Sequence, residues 1–585
     1  MKKLIKKFWM SITCVFFILV VMSFNVFALE KENANGKTGN LTWNLDDAGV
    51  LTISGEGQMP NYSFGTSPWN DYKDKILKVV IEDGVTVIGD YAFRGLTNLT
   101  SVSIPEGITR IGGYSFKGCS ALSDIVLPST LTKLGESAFY GCTKLAEITV
   151  PEGVYTIWAY TFKNCTSLSK VSLPSTLIKI DEAAFYGCTD LQNLNIPDGV
   201  GIIGIYCFKN CTKLNSVNLP KKLTEIREAA FYATGLVNLE VPEGVTKIGP
   251  YALKRSTALK SIQLPESLTS IDESAFYECT NLKAIDIPDE VTTIGNYAFR
   301  KCNVLESVNF PKKLHTIGES AFYGCTSLKN LMMPDEVTSI GAYAFKGCTA
   351  LNEVVMKDGM LQIGDSSFYG CSVLAKIVIP SGAELIGEYA FSKCTGLKEV
   401  EFQGDAPTIK IKAFNGVTAE VYYPAGNSTW TSDNKQNYGG ILTWIEKSEE
   451  VSSVIAVGSA SATPGTVGVE IPVVIKNNPG ILGMTLSIIY DENMMSLIDA
   501  TNGEALSALS LTKSKVLKSG CNFVWDGQEI CEEDVLDGNI LYLTFDIPSD
   551  AKKGNYDIEL IAKDIIDNDL NPLDIIMKSG NIVIE

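Results

Sequence analysis

Histidine is almost missing from this chain, with one residue, His315, in 585. A Ser-His-Asp or Cys-His arrangement needs its imidazole held in a shaped pocket. His315 instead sits in KKLHTIG, on an outer turn where similar segments carry Thr or Tyr. Clustered Lys and Arg are missing beyond the first few residues. The chain has 49 Lys and Arg against 67 Asp and Glu, a formal charge of −18, which argues against nucleic acid as a partner. No glycine-rich phosphate or dinucleotide motif stands at a strand-to-helix turn. Paired carboxylates can hydrolyse glycosides without histidine, but the acids of the repeating part hold exposed, varying positions. Asp567-Asn568-Asp569-Leu570-Asn571 opens like a calcium loop, then fails at Pro572, where glycine is needed, and at Lys578, where a bidentate acid is needed. After residue 28 no apolar stretch is long enough to span a bilayer. These absences predict a non-catalytic protein with no cofactor and no metal site of its own.

What is present begins with Lys2, Lys3, Lys6 and Lys7, followed by an apolar run from Phe8 to Phe27 and the small residue Ala28. This pattern predicts a secretory signal at 1–28; the alternative is an uncleaved membrane anchor. Cys14 lacks the small residue before it that a lipoprotein signal needs. The expected location is extracellular, secreted or attached to the cell surface, with no membrane span after cleavage and with any surface retention supplied by other means.

A 23-residue period then dominates. Phe93, Phe116, Phe139, Phe162, Phe185, Phe208 and Phe231 recur in step, and after one 22-residue step to Leu253 the series runs on from Phe276 to Phe414, making fifteen copies. In the copy IGGYSFKGCSALSDIVLPSTLTK, Ile125 and Leu127 alternate with outward neighbours and read as a short strand that Pro128 ends. The segment Tyr114 to Lys117 is too short for a stable helix and is expected to form one helical turn. One such unit cannot bury its apolar edge alone, so the repeat predicts a stacked solenoid. Strands about 4.8 Å apart would give fifteen coils a length on the order of 70 Å. A two-coil period lies above the first. Lys117, Tyr140, Lys163 and Tyr186 alternate after the phenylalanine, and the post-strand loops alternate as PEGV, PSTL, PDGV and PKKL.

Eleven copies carry a cysteine three residues after the phenylalanine, from Cys119 to Cys394, while the others place Leu96, Thr234, Ser256 and Val417 there. Leucine and valine neither ligate metal nor form disulfides. The slot is therefore read as packing space for a small or medium side chain.

The pattern I-G-x-x-A-F-x-x-C-x-x-L-x-x-V-x-I-P at this period resembles the BspA-like leucine-rich repeats of bacterial surface proteins. Asn40 to Asp71 looks like that family's amino-terminal cap and Phe402 to Trp444 like its carboxyl-terminal cap. The expected organisation is a signal at 1–28, a cap at 29–77, repeats at 78–417, a second cap at 418–446, a linker at 447–453 and a separate domain at 454–585. The resemblance implies adhesion or binding outside the cell and names no ligand. The outward residue of each strand makes a stripe, and its polar middle, Asn195, Asn218, Glu240, Gln263, Asp286 and Asn309, is the candidate face for glycan hydroxyls or for a host or cell-surface protein; the alternative is a solvated face kept polar for solubility.

From Val454 the period is gone and β-branched strands alternate with turns, which predicts a β-sandwich. TPGTVGVEIPVVIKN, GILGMTLSIIYDENMMSLID, LDGNILYLTFDIPSDAKKGNYDIEL and DNDLNPLDIIMKSGNIVI resemble a cohesin, the module that receives dockerins in cellulosome-type assemblies. The resemblance implies partner contacts on the strand after Gly480-Ile481, at Gly483, Thr485 and Ser487, although the family's amide and acid are absent there and Pro572 stands where some relatives have an acid. The partner would be a dockerin-bearing protein that carries its own calcium. Cys521 and Cys531 are two free thiols or a pair across a hairpin. The chain is thus expected to be a binding or scaffolding protein, with a capped solenoid presenting a ligand face and a cohesin-like module docking a partner in polysaccharide-degrading assemblies. The alternative is an adhesin or carbohydrate-binding protein whose sandwich holds glycan directly.

Overall fold

The computed structural model of the chain describes residues 34–447, 452–527, 530 and 535–585. The expected signal, Cys14, most of the linker 447–453, and Cys531 with its pairing to Cys521 lie outside the described residues. Two compact units are formed, one ending at Glu446 and one beginning at Lys447. No helix among the described residues is long and apolar enough to cross a membrane.

The first unit is a solenoid of short parallel strands closed by strands near each end. At one end Ala34–Thr38, Leu41–Leu45 and Val50–Ser54 form an antiparallel meander whose last strand pairs in parallel with Lys78–Ile81. At the other, Thr418–Pro424 joins Glu399–Phe402 in the same way. Each coil contributes two strands. The strand before the glycine corner stacks in long runs, four strands from Gly57–Gln58 to Lys133–Leu134, three from Thr156–Ile157 to Ile202–Ile203, and nine from Glu225–Ile226 to Thr408–Ile409, each run one parallel sheet. Repeating the same residue types at the same step puts each coil in register with the next, as in Ile271 against Ile294 and Ile294 against Ile317.

The segment expected as one helical turn is a series of i to i+3 turns. The N–H of Lys117 donates to the Tyr114 carbonyl (3.2 Å) and that of Cys119 to the Phe116 carbonyl (3.1 Å). Helix is excluded because alternate amides face the neighbouring coil. Those of Tyr114, Phe116 and Gly118 donate to the carbonyls of Glu136, Ala138 and Tyr140, at 2.8, 2.8 and 2.7 Å. This geometry requires two left-handed residues per coil, such as Tyr114 (φ 58°) and Gly118 (φ 78°). Glycine or asparagine suits the second position, and Gly141, Asn164, Gly187 and Asn210 follow that rule.

The fifteen-member phenylalanine series fills the core. Consecutive rings from Phe93 to Phe231 and from Phe276 to Phe414 stack with centroids 5.0–5.7 Å apart. Trp69 extends the stack at one end, 5.5 Å from Phe93. Leu253, at the 22-residue step, interrupts it while staying fully buried.

The recurring cysteine is buried in all eleven copies, and it does more than fill space. Each thiol points at the phenylalanine-slot carbonyl of the preceding coil, with Sγ to O distances of 3.1–3.4 Å from Cys119 to Cys394. Ser256, one of the replacements, donates its hydroxyl to the corresponding carbonyl of Phe231 at 2.8 Å. Between the first and last copies, where Leu96 and Val417 stand, the slot thus holds a small buried side chain with a hydrogen to give. Burial pushes the Cys119 and Cys165 thiols up to about 12.

The second unit is a sandwich of two sheets. One has five strands in the order Ser496–Asn502, Gly538–Asp546, Val469–Lys476, Val454–Val457, Ile576–Lys578. The other has six, in the order Ser459–Ala462, Gly580–Ile584, Gly554–Ile566, Gly483–Ile489, Cys521–Asp526, Ser510–Lys513. Phe523, Trp525, Phe545 and Leu486 meet in the core between them.

Two outcomes follow from this core. Because the native thiols stay protonated and enclosed, a disulfide reagent at pH 8 should titrate none of the twelve described solenoid cysteines until denaturant is added. Replacing Phe162 by alanine should cost about 3–5 kcal/mol, while Phe162→Leu, which copies the native occupant at 253, should cost under about 1.5 kcal/mol; urea unfolding followed by circular dichroism reads both.

Candidate functional site

The strand face of the solenoid is organised differently from these longer sheets. Between residues 147 and 355 its strands pair only in twos: Glu147–Thr149 with Lys170–Ser172, Asn193–Asn195 with Ser216–Asn218, Asn238–Glu240 with Ser261–Gln263, Ala284–Asp286 with Ser307–Asn309, and Asn330–Met332 with Glu353–Val355. The loops explain the pairing. Glu152, in the loop after the first strand of its pair, accepts the Ser175 amide and hydroxyl (both 3.0 Å) and the Thr176 amide (3.3 Å) in the loop after the second. Those bonds hold its carboxyl below the usual range, with the Ser175 amide the main cause. Other pairs use charge in the same place, as in Lys312 to Asp289 and Lys313 to Glu290, both 2.7 Å. The two-coil alternation of the sequence is therefore a physical dimer of coils.

All six polar stripe residues are exposed, and they meet as three register pairs, Asn195 opposite Asn218, Glu240 opposite Gln263 and Asp286 opposite Asn309. Some of their capacity is used internally. The Asn309 amide donates to the Asp286 carboxylate, and the Ile196 amide donates to the Asn218 side chain (3.2 Å). Surface depressions fall where one pair of strands ends and the next begins. One is lined by Asn218, Lys221, Glu240 and Glu243 above Val217 and Leu219. Another is lined by Gln263, Glu266, Asp286 and Asp289 above Ile262 and Leu264. The arrangement offers amides, carboxylates and a partly apolar floor, and among the described residues no cluster of three or more His, Cys, Asp or Glu is placed to hold a metal. His315 is exposed, its Nδ1 2.8 Å from the Lys313 carbonyl and its Nε2 3.5 Å from Glu336.

In the sandwich, Gly483–Ile489 lies inside the six-stranded sheet between Cys521–Asp526 and Gly554–Ile566. Gly483 is buried, and a Cβ there would meet the Ile566 side chain at 3.3 Å. Thr485 and Ser487 face outward and are half-buried. Their cross-strand neighbours are Val524 and Lys563 for Thr485, and Asn522 and Ile561 for Ser487. The Ser487 hydroxyl donates to Asn522 Oδ1 at 2.5 Å, and Ile561 is 46% exposed although it sits mid-sheet. Asn522 and Ile561 were missed by sequence reasoning; their signal was the outward phase of NFVWDG and GNYDIELIA. Asp567 binds its own loop, accepting the amides of Asp569 (2.9 Å) and Asn571 (2.8 Å).

Comparison with known proteins fits this geometry. A family model described as BspA type leucine rich repeat region (6 copies) matches three overlapping segments, residues 71–192, 179–305 and 292–420, and a cohesin domain model matches residues 453–584. No curated protein matches. A leucine-rich repeat protein from Bacteroides ovatus is similar at 26% identity, covering 70% of this chain and 99% of its own, with a TM-score of 0.51. A leucine rich cell surface protein from Faecalibacterium prausnitzii shows 26% identity over 64% of this chain and 96% of its own, with a TM-score of 0.35. A type I cohesin–dockerin complex from Clostridium thermocellum shows 25% identity over 23% of this chain and 99% of its own, with a TM-score of 0.21. Both modules are binding modules, and the coarse function is non-catalytic binding or scaffolding. The chain belongs to the BspA-type leucine-rich repeat family and carries a cohesin domain after its repeats.

Proposed function

We propose that this is an exported protein whose cohesin domain docks a dockerin-bearing partner while its solenoid strand face holds a glycan or a cell-surface protein, within a polysaccharide-degrading assembly. The observation that carries the reading is the span of the cohesin match, 453–584, over a sheet whose outward face joins polar Thr485, Ser487 and Asn522 to exposed Ile561. An apolar residue ringed by hydrogen-bonding groups is the composition of a docking surface. The domain binds no calcium in this reading; the partner brings it. On the solenoid, the depressions beside Asn218, Glu240, Gln263 and Asp286 are the contact points, since their amides and carboxylates match hydroxyl-rich ligands. The apolar run at the chain's start supports export.

Immobilised full-length protein should capture dockerin-bearing proteins from culture supernatant, and chelation of calcium should abolish capture. Thr485→Arg, which places a long charge mid-sheet, should weaken capture at least about tenfold, as loss of a central interface contact does, and leave the melting temperature unchanged. Retention of the Val454–Glu585 face on polysaccharide with no dockerin partner would sink the docking reading and leave a carbohydrate-binding sandwich.

A further inference from the structure

The solenoid carries threonines just before the strands that lead to the glycine corner, in both its four-stranded and its nine-stranded sheet. Thr109 and Thr132 donate their hydroxyls to the carbonyl of the preceding coil's threonine, at 3.3 and 3.1 Å, and Thr246 and Thr269 do the same at 3.4 and 2.9 Å. Three consecutive coils between these break the ladder with Tyr155, Ile178 and Gly201. Within the three coils the backbone ladder holds, the Ile178 amide reaching the Tyr155 carbonyl (3.0 Å) and the Gly201 amide the Ile178 carbonyl (3.1 Å), and their strands Thr156–Ile157, Lys179–Ile180 and Ile202–Ile203 form a three-stranded sheet of their own. The substitutions give up hydroxyl bonds and expose apolar surface. Tyr155 is 56% exposed and Ile178 55%. Trp158, where most copies carry glycine, is 40% exposed, and Ile202 in the adjoining file is 36% exposed. A cluster of this kind on a polar surface marks a binding surface.

Gly201 has no structural reason to be glycine. Its φ is not left-handed, and an added Cβ would meet only the Lys222 carbonyl at 3.7 Å. The missing side chain leaves a notch beside Ile178. The charge around the cluster is specific too. Lys133, one coil before Thr156 in the same file, holds its ammonium 5.8 Å from the Trp158 ring centre. Its file neighbours Arg110 and Lys179 pair with Asp90 and Asp181, whereas Lys133 has no ion pair among the described residues. An ammonium beside the exposed Trp158 ring is a local exception on a chain of charge −18, and it complements an anionic group that arrives with an apolar face.

We propose that Tyr155, Trp158, Ile178 and the Gly201 notch form a platform for the sugar rings of an acidic polysaccharide, with Lys133 receiving a uronate carboxylate. One face of a pyranose is a patch of C–H bonds that are slightly positive and suit the negative face of an aromatic ring. The carboxylate answers the ammonium, and Thr132 and Thr156 offer hydroxyls at the margin. This platform lies on a different sheet from the polar stripe and stands independently of it and of the docking of a dockerin.

The test uses the full-length protein in affinity electrophoresis through gels holding polygalacturonate, alginate or hyaluronate, and through gels holding the carboxyl-reduced form of each. Retardation by at least one polyuronate is expected, and much less by its reduced form. The variants restore residues that neighbouring coils already carry. Tyr155→Thr with Ile178→Thr and Gly201→Thr, and separately Trp158→Gly, should keep the melting temperature and weaken binding at least about tenfold, as removing an aromatic anchor does. Lys133→Gln should weaken binding to the polyuronate and not to its reduced form. Absence of retardation by all three polymers, equal retardation by charged and reduced forms, or binding unchanged in the Trp158→Gly protein would each overturn the platform, as would Lys133→Gln acting equally on both forms.

Discussion

A single coil of this solenoid cannot satisfy its own backbone. The amides of Tyr114, Phe116 and Gly118 find acceptors only on the next coil, and the thiol of Cys142 finds its acceptor only on the one before. Phe116 and Cys142 are fully buried, and there an unmade hydrogen bond costs about 1–3 kcal/mol. Stacking in register is thus the condition for folding at all, and register demands that similar residues return at a constant step. The period, the ring stack and the thiol ladder are three expressions of that one requirement.

This constraint also explains how much could be read in advance. Phe116 and Phe139 announce the coil because nothing smaller fills the slot as well, and the loop alternation of PEGV with PSTL announces the two-coil unit because Glu152 must meet Ser175. The short turn misled, since Tyr114 to Lys117 has no periodicity to betray left-handed residues; Gly118, Asn164 and Asn210 one turn later were the available sign. The cysteine was legible as a packing residue and not as a donor. Ser256 held that information, because a hydroxyl tolerated in a core slot has to be giving its hydrogen to something. The two-coil unit was legible from the loops, while the break of the strand ladder between one pair and the next is seen only in the register. In the sandwich, Thr485 and Ser487 were found by their place after Gly480-Ile481, while Asn522 and Ile561 lie on neighbouring strands that only the register brings alongside.

Function sits where the stacking rule does not reach. Residues facing outward on the strands, such as Glu240 and Gln263, vary from coil to coil while the inward residues beside them keep their register. A repeat scaffold therefore offers many independently tunable faces on a rigid frame. The cohesin domain works under the opposite arrangement, in which one sheet face of fixed register presents a single compact surface around Ser487.

The coils of Phe231 and Leu253 depart from the rest together. The ring stack is interrupted there, the cysteine slots hold Thr234 and Ser256 joined by a 3.0 Å hydroxyl contact, and the step between them is 22 residues. In a nearest-neighbour array the strength of the whole is set by its interfaces taken one at a time. At this junction the backbone ladder is kept, with the Phe231 amide on the Ala252 carbonyl at 2.9 Å, so a hydroxyl pair takes the place of a ring contact inside an unbroken strand register.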